Sequence, residues 1–443
     1  MNKPLPQLQP LPEAERRHVA VVGAGLVGLC SALWLQRMGH RVTIIDPAPP
    51  LGDASYRQAC SYGNACTVAP HGVVPVATPG VIWRVPGMLL NPLGPLAIVW
   101  RYLPQLVPWL RAFLASSSKA EVDRIAGTLA VLLSQADAAW QPLVTLAGAE
   151  RLKQREGCLY LYKTEAQFRA ADAENGLRER HGVAMDRLER ADIQSMEPNL
   201  APLYERGVLF RDAYVFSSPK QLAFALAQAL VEGGGEIVRG EVSAIEPRDD
   251  GIGLRTAGKQ IVADHAVVAA GAHSRKLTAS VGDRVLLDTE RGYHVLFPNA
   301  GNLLSRPVCY PEHGFYMVPM ADGMRAAGTV ELGGLAAALN PRRTAMIREG
   351  VKTLLPGAGE GSDEWLGFRP SMPDSLPVIG ASRRLPRITY AFGHGHLGLT
   401  LSALTGYLVS QLVAGQRPII DLTPLRPGRF WVSHRANKTV LET

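Results

Sequence analysis

Gly23, Gly25 and Gly28 form a G-x-G-x-x-G array, and Asp46 stands 18 residues beyond the last of them. Glycines so spaced let the backbone turn tightly, approach a pyrophosphate and pack a helix on a strand, while an acid ending the next strand can hold ribose hydroxyls. That is dinucleotide-binding chemistry. The elements required to position it are present in order. His18 to Val22 reads as a short buried strand, an apolar helix runs to Met38 with Gly39 at its end, and Arg41 to Ile45 reads as the strand that delivers Asp46.

Gly393, Gly395 and Gly398 repeat the array between an apolar strand and a long apolar helix within Thr389 to Gly415, and Asp421 lies 23 residues past Gly398. Only Ile419 and Ile420 separate Pro418 from Asp421, too few for a central strand presenting a ribose acid. A helix start carrying roughly half a positive charge suits another electron-rich group here, such as the N1/C2 carbonyl side of a flavin ring. His394 and His396 flank this turn without a matching third ligand, so no metal site is expected.

Composition narrows the function classes. The chain has 443 residues, 47% hydrophobic and 19% charged, enough for two or more lobes with a large core. The net charge of +7 comes without a basic block or interleaved aromatic pattern, so nucleic acid is not an expected partner. Cys30, Cys60, Cys66, Cys158 and Cys309 are odd in number with no C-x-x-C pair, which fits a reducing compartment. The segment MNKPLPQLQPLPEAERR lacks the apolar centre of a signal peptide and reads as a loose leader. A cytoplasmic protein is expected, with the inner face of the cell membrane as an alternative. The charge-free run Val85 to Trp100 is broken by Pro86, Pro92 and Pro95 and cannot span a bilayer as a regular helix. With Trp83, Tyr102, Trp109 and Phe113, and with Arg84, Arg101 and Arg111 around it, the run suits peripheral membrane contact, a partner protein or a core helical hairpin.

Further along, helical periodicity extends past Ser116 to Ser118 as far as Ala147. Cys158 to Tyr162 alternates like a strand, Ala166 to His181 reads as an exposed helix, and Pro219 opens a helix through Val231. Glu236 to Ile245 is strand-like, and HAVVAAGAHS (His265 to Ser274) is a buried strand ending in a small-residue turn. From Arg291 to Glu331 strands dominate. The expected fold class is α/β, a Rossmann-like dinucleotide domain with an inserted α+β substrate domain. The first is assembled from residues 17–75, 219–285 and 366–430, the second from 76–218 and 286–365.

Taken in order, VVGAGLVG, SYGNA (Ser61 to Ala65), AAGAHS, RGYH (Arg291 to His294), RAAGTVE (Arg325 to Glu331), GFRPSMPDSLPVIG (Gly367 to Gly380) and GHGHLG make this chain resemble the FAD-dependent D-amino-acid dehydrogenases of the wider D-amino-acid oxidase and glycine oxidase superfamily, over residues 17 to 420. The resemblance implies that Gly23, Gly25, Gly28 and Asp46 bind the ADP part of FAD and that Ser61, Asn64 and Ala65 lie along the flavin. It also implies that Val242 contacts adenine, that Gly271 sits near the pyrophosphate, and that His394, Gly395, Leu397 and Gly398 approach the isoalloxazine. Related sarcosine oxidases attach flavin through a cysteine after the Arg-Pro pair. SMPDSLP has none, so noncovalent FAD is expected, and Cys309 is read as a buried thiol.

An amino-acid substrate needs a cation for its carboxylate and an apolar place for its Cα hydrogen. Arg369 is the candidate for the first, by bidentate guanidinium binding, with a structural pair to Asp374 as its other reading. Tyr310 and Tyr316 are candidates for a hydroxyl on the carboxylate or a wall over the ring, Tyr293 a weaker one, and His394 a candidate proton carrier. The expected reaction is oxidative deamination of a D-amino acid to a 2-oxo acid and ammonia, with oxygen, a quinone or another respiratory-chain acceptor reoxidising the flavin. A secondary-amine oxidase of sarcosine, glycine or proline type, a flavin-carrying electron-transfer subunit, and an NAD-dependent dehydrogenase remain the alternatives.

Overall fold

His18–Val22 is apolar because it is covered on both faces. It lies within a six-stranded sheet ordered Glu236–Arg239, Arg41–Asp46, His18–Val22, His265–Val268, Ile388–Phe392, Val378–Ala381. The first five strands run parallel and the last is antiparallel. The computed structural model describes residues 4–52, 56–80, 87, 94, 96–258 and 260–431.

Helix Leu26–Arg37 follows the first strand at once. Helix Gly398–Val413 crosses it so closely that a Cβ on Gly406 would stand 2.6 Å from the Cys30 carbonyl carbon and oxygen. Trp34 and Tyr407 meet edge-on at 5.1 Å beside this crossing. The two helices read as apolar nearly all round because each is a core element rather than a surface one.

A second, nine-stranded sheet has the order Ser362–Ser371, Asp288–Phe297, Gly323–Leu332, Phe315–Met320, Val308–Tyr310, Cys158–Tyr162, Arg206–Phe210, Asp186–Glu189, and Leu96–Ile98 also pairs with Gly323–Leu332. Helix Pro341–Leu354 covers one face through Ile347, Val351 and Leu354, which pack with Tyr310, Phe315 and Met317. Two small three-stranded antiparallel sheets complete the strand inventory of the described residues.

Four sequence expectations change. Helices Lys119–Ser134 and Ala136–Leu146, assigned above to the substrate domain, pack their apolar faces into the core of the first lobe, and Trp140 Nε1 donates to the Leu399 carbonyl at 3.1 Å. Ser362–Ser371 belongs to the nine-stranded sheet, so the chain passes back to the first lobe after Ser371 rather than at residue 366. The leader is docked: Leu11 is buried with its N–H on the Met38 carbonyl, and Tyr407 donates to the Pro6 carbonyl. The expected exposed helix Ala166 to His181 is two helices, Glu165–Ala170 and Asp172–Arg180, and Asn175, Leu177 and Arg178 of the second are buried.

Most of the run Val85 to Trp100, with Trp83 and Arg84, lies outside the described residues. Beside it, Trp109 is buried, donates to the Ser371 carbonyl at 3.0 Å and stacks on Phe113, while the Tyr102 hydroxyl donates to Asp288. These aromatic side chains make contacts within the protein, whereas Trp100, Arg101 and Arg111 are exposed. Among the described residues no helix is long and apolar enough to cross a membrane.

Candidate active site

The nucleotide end is built from the strand-turn-helix unit. The Gly23 N–H donates to the Ile45 carbonyl at 2.9 Å, which ties the turn to the neighbouring strand. A Cβ on Gly28 would lie 1.9 Å from the Gly23 carbonyl oxygen, so the helix approaches the turn only because residue 28 has no side chain. Gly25 caps the helix, and a Cβ there would meet no protein atom within 4 Å. That open space lies in front of the first N–H groups of the helix, which have no intrahelical acceptor. Asp46 accepts from the N–H groups of Ala24 and Ala48, each at 2.7 Å, and burial raises its carboxyl above the ordinary range.

From this turn a cavity of about 1380 Å³ runs between the two sheets, larger than the ~300–1,000 Å³ of usual small-ligand pockets. Gly23, Gly25, Asp46, Val242 and Gly271 line the cavity at the end where this turn lies. Ser61, Asn64 and Ala65 line it further on, facing the second glycine turn with Gly395, Leu397 and Gly398. Asn64 Oδ1 accepts from the Cys66 N–H, and Ser61 Oγ is hydrogen-bonded to the Tyr56 hydroxyl, which fixes this loop. Size, the open cradle at Gly25 and the acid at the strand end fit an extended dinucleotide such as FAD. Gly28 itself is outside the lining and acts through packing.

The far end of the cavity holds the charged groups. Arg369 Nη1 donates to the Thr329 carbonyl at 2.8 Å, and its guanidinium pairs with no carboxylate among the described residues. Asp374 is engaged by Arg429 instead, through a bidentate pair at 2.7 and 2.8 Å, so the alternative structural partner of Arg369 is already taken. Thr329 carries its carbonyl to Arg369 from a left-handed backbone, φ 57°. Glu290 stands opposite Arg369 across the strand pair, and its Oε2 lies 2.7 Å from His396 Nε2. Burial alone would raise the Glu290 carboxyl, but His396 and Arg369 beside it outweigh that and hold it below the ordinary range.

The two tyrosines of the Cys309 to Pro319 hairpin separate. Cys309 pairs with Tyr316 and Tyr310 with Phe315, so strand alternation sends the two pairs to opposite faces of the sheet. Tyr316 lines the cavity, its hydroxyl bonded to that of Tyr160. Tyr310 is buried against the Pro341–Leu354 helix with an unpartnered hydroxyl and does not reach the cavity. Tyr293 also turns away, donating to Glu331 in that core. His394, the candidate proton carrier, lines the cavity but is buried, with its Nε2 2.8 Å from Thr405 Oγ1 and its imidazole depressed to about 3 by burial. The imidazole that faces the cavity with a carboxylate partner is that of His396.

Sequence reasoning missed Glu290, Tyr160 and Arg178. Tyr160 was within reach, since the alternation of Cys158–Tyr162 distinguishes its face from that of Leu159 and Leu161. Glu290 and Arg178 are set by long-range strand register and by a helix placement that no local pattern encodes.

Residues 18–412 match the DAO family, FAD dependent oxidoreductase, and the chain belongs to that family. Two relatives narrow the neighbourhood. A D-amino-acid oxidase of Bradyrhizobium diazoefficiens is 41% identical over 94% of this chain and 99% of its own. A D-amino acid dehydrogenase of Paramagnetospirillum magneticum is 31% identical over 93% and 98%. In fold the chain is similar to glycine oxidase from Geobacillus kaustophilus, with TM-score 0.72, 23% identity and coverage of 94% and 99%. L-proline dehydrogenase from P. horikoshii gives TM-score 0.68 at 16% identity, over 95% of this chain and 98% of that one. The protein is an FAD-dependent oxidoreductase.

Proposed function

We propose that this chain oxidises D-amino acids to 2-oxo acids and ammonia. The observation that carries the reading is Arg369, a guanidinium without a carboxylate partner among the described residues, in a cavity that begins at a dinucleotide turn. When bound, FAD supplies the acceptor for the hydrogen and electron pair lost from Cα.

The chain's own residues bind and orient. Arg369 holds the substrate carboxylate in a fork of parallel hydrogen bonds, and the Tyr316 ring, fixed by Tyr160, forms the wall beside it. The carboxylate fixes Cα in place, so the entropy of alignment is met on binding rather than at the barrier. The amine reacts in its neutral form. The imine formed when Cα and nitrogen lose their hydrogens is hydrolysed by water to oxo acid and ammonia, which needs no protein nucleophile. Asp46 would hold the ribose of FAD, and Ser61, Asn64, Ala65 and the Gly395 to Gly398 turn would hold its ring system. The substrate hand rests on the two relatives named for D-amino acids.

Anaerobic mixing with D- and L-amino acids, proline and sarcosine, followed by visible flavin absorption, tests the reading. Bleaching by D-amino acids alone is the expected result. Bleaching by sarcosine or proline in preference would assign a secondary-amine enzyme, and none with any of them an electron-transfer flavoprotein. Oxygen uptake against quinone reduction then assigns the electron acceptor, for which relatives named oxidase and dehydrogenase give opposite precedents.

A further inference from the structure

The cavity has a second cationic pole that the proposed reaction does not use. Arg178, on helix Asp172–Arg180, is 7% exposed and lines the cavity near Tyr160. Its guanidinium lies 5.4 Å from the Phe210 ring and 5.9 Å from that of Tyr160. Two of its nitrogens are engaged, Nη1 with Asn175 Oδ1 at 2.9 Å and Nε with the His71 carbonyl at 3.4 Å. Among the described residues Nη2 has one acidic neighbour, Glu174 Oε2, in an ion pair at 3.7 Å that is beyond hydrogen-bond reach and on a side chain 41% exposed. A buried guanidinium so weakly paired is costly unless an anion completes it.

We propose that Arg178 is the side-chain subsite of this enzyme and that its preferred substrates are amino acids with a carboxylate on the side chain. The inference rests on the reading that Arg369 holds the α-carboxylate. The two guanidinium groups are then opposite poles of one substrate site. Along the wall between them run two tyrosine rings, Tyr160 and Tyr316, whose centroids are 5.9 Å apart, and Tyr316 is paired with Ala327, next to the Gly328 carbonyl that faces Arg369. The aromatic wall suits the methylene chain of an amino dicarboxylate, and the forks at either end suit its two carboxylates. Of the acids beside the two guanidinium groups, Glu290, next to Arg369, is committed to His396, and Glu174, next to Arg178, is the half-exposed group that a substrate carboxylate would replace at hydrogen-bond distance.

D-Glutamate and D-glutamine differ in charge with little change in shape, so their anaerobic flavin-reduction kcat/KM values are compared in the flavin-loaded protein. The proposal expects at least a tenfold preference for D-glutamate. Binding of the unreactive pair glutarate and glutaramate, followed by perturbation of the flavin spectrum, should show the same preference without turnover. Arg178→Met should abolish both preferences, read as the ratio of D-glutamate to D-glutamine kcat/KM and of glutarate to glutaramate affinity, and Arg178→Lys should retain part of them. Equal handling of D-glutamate and D-glutamine by the unmodified protein overturns the proposal, with no variant required to fold. Failure of D-glutamate and D-glutamine to reduce a flavin that other D-amino acids reduce overturns the subsite alone, whereas failure of every D-amino acid of the panel overturns the underlying amino-acid reading, and the subsite with it.

Discussion

Glu290 Oε2 and His396 Nε2, 2.7 Å apart, join the nine-stranded sheet to the second glycine turn across the wall of the cavity. Glu290 is buried while His396 is half-exposed and lines the cavity, so the bond fixes the imidazole from its protein side.

Glu290→Gln should therefore destabilise the protein by about 1.5–3 kcal/mol near neutral pH, the scale of a hydrogen bond to a charged group. The folded carboxyl titrates below its ordinary value of 4.5, so its contribution is present above pH 4.5 and is lost as pH falls through the folded value. Denaturant unfolding from pH 7 to 3 should show the parent and Glu290→Gln converging at the acid end. A constant gap would place the effect in packing rather than in charge.

Arg369→Ala should lower kcat/KM for amino acids by a factor of about 10²–10³, some 3–4 kcal/mol for truncating one partner of a buried charge pair. FAD content, read from the ratio of visible to ultraviolet absorption, should remain near the parent value, because the side chain donates to the backbone carbonyls of Gly328 and Thr329 at the substrate end of the cavity. Parent-like binding of benzoate or other simple carboxylates would remove Arg369 from the carboxylate role.

The neighbouring Asp374 gives the opposite pattern. Its bidentate pair with Arg429 is nearly buried, at 3% and 10% side-chain exposure, and ties residues Met372 to Pro377 to the chain near its end. Arg429→Ala should destabilise by about 3 kcal/mol, since it leaves a buried carboxylate uncompensated. The KM for amino acids should stay within about twofold of the parent, because the pair makes no part of the cavity wall. Thermal denaturation alongside steady-state kinetics separates the two effects.

What could be read from the sequence was what local pattern encodes. The first strand, its helix and Asp46 follow from apolar runs and glycine spacing, and the failure of Asp421 to end a strand follows from the short stretch after Pro418. Tyr310 was misassigned because two tyrosines six residues apart across a hairpin look alike in sequence. Only the register Cys309 to Tyr316 shows that they face opposite ways. Long-range placement was also hidden: the apolar faces of Lys119–Ser134 and Ala136–Leu146 mark them as core helices without saying which core. His394 and His396 differ in role because one lies under the turn against Thr405 and the other over Glu290, a difference of position in space that a two-residue spacing does not carry.

The glycines of the first turn separate a requirement of the fold from one of the cofactor. Gly28→Ala places a Cβ 1.9 Å from the Gly23 carbonyl oxygen, a clash with backbone that cannot move without displacing the turn. It should reduce the folded yield and lower the melting temperature of apoprotein and holoprotein alike. Gly25→Ala adds a Cβ at an ordinary φ of −66° with no protein atom within 4 Å, so the apoprotein should melt within about a degree of the parent. Its FAD affinity should nonetheless fall at least tenfold, because the added methyl occupies the space in front of the helix start where a pyrophosphate must approach. Melting of the apoproteins by circular dichroism and titration of each with FAD by fluorescence quenching give the two readouts. Unchanged FAD affinity in Gly25→Ala would move the pyrophosphate away from this turn.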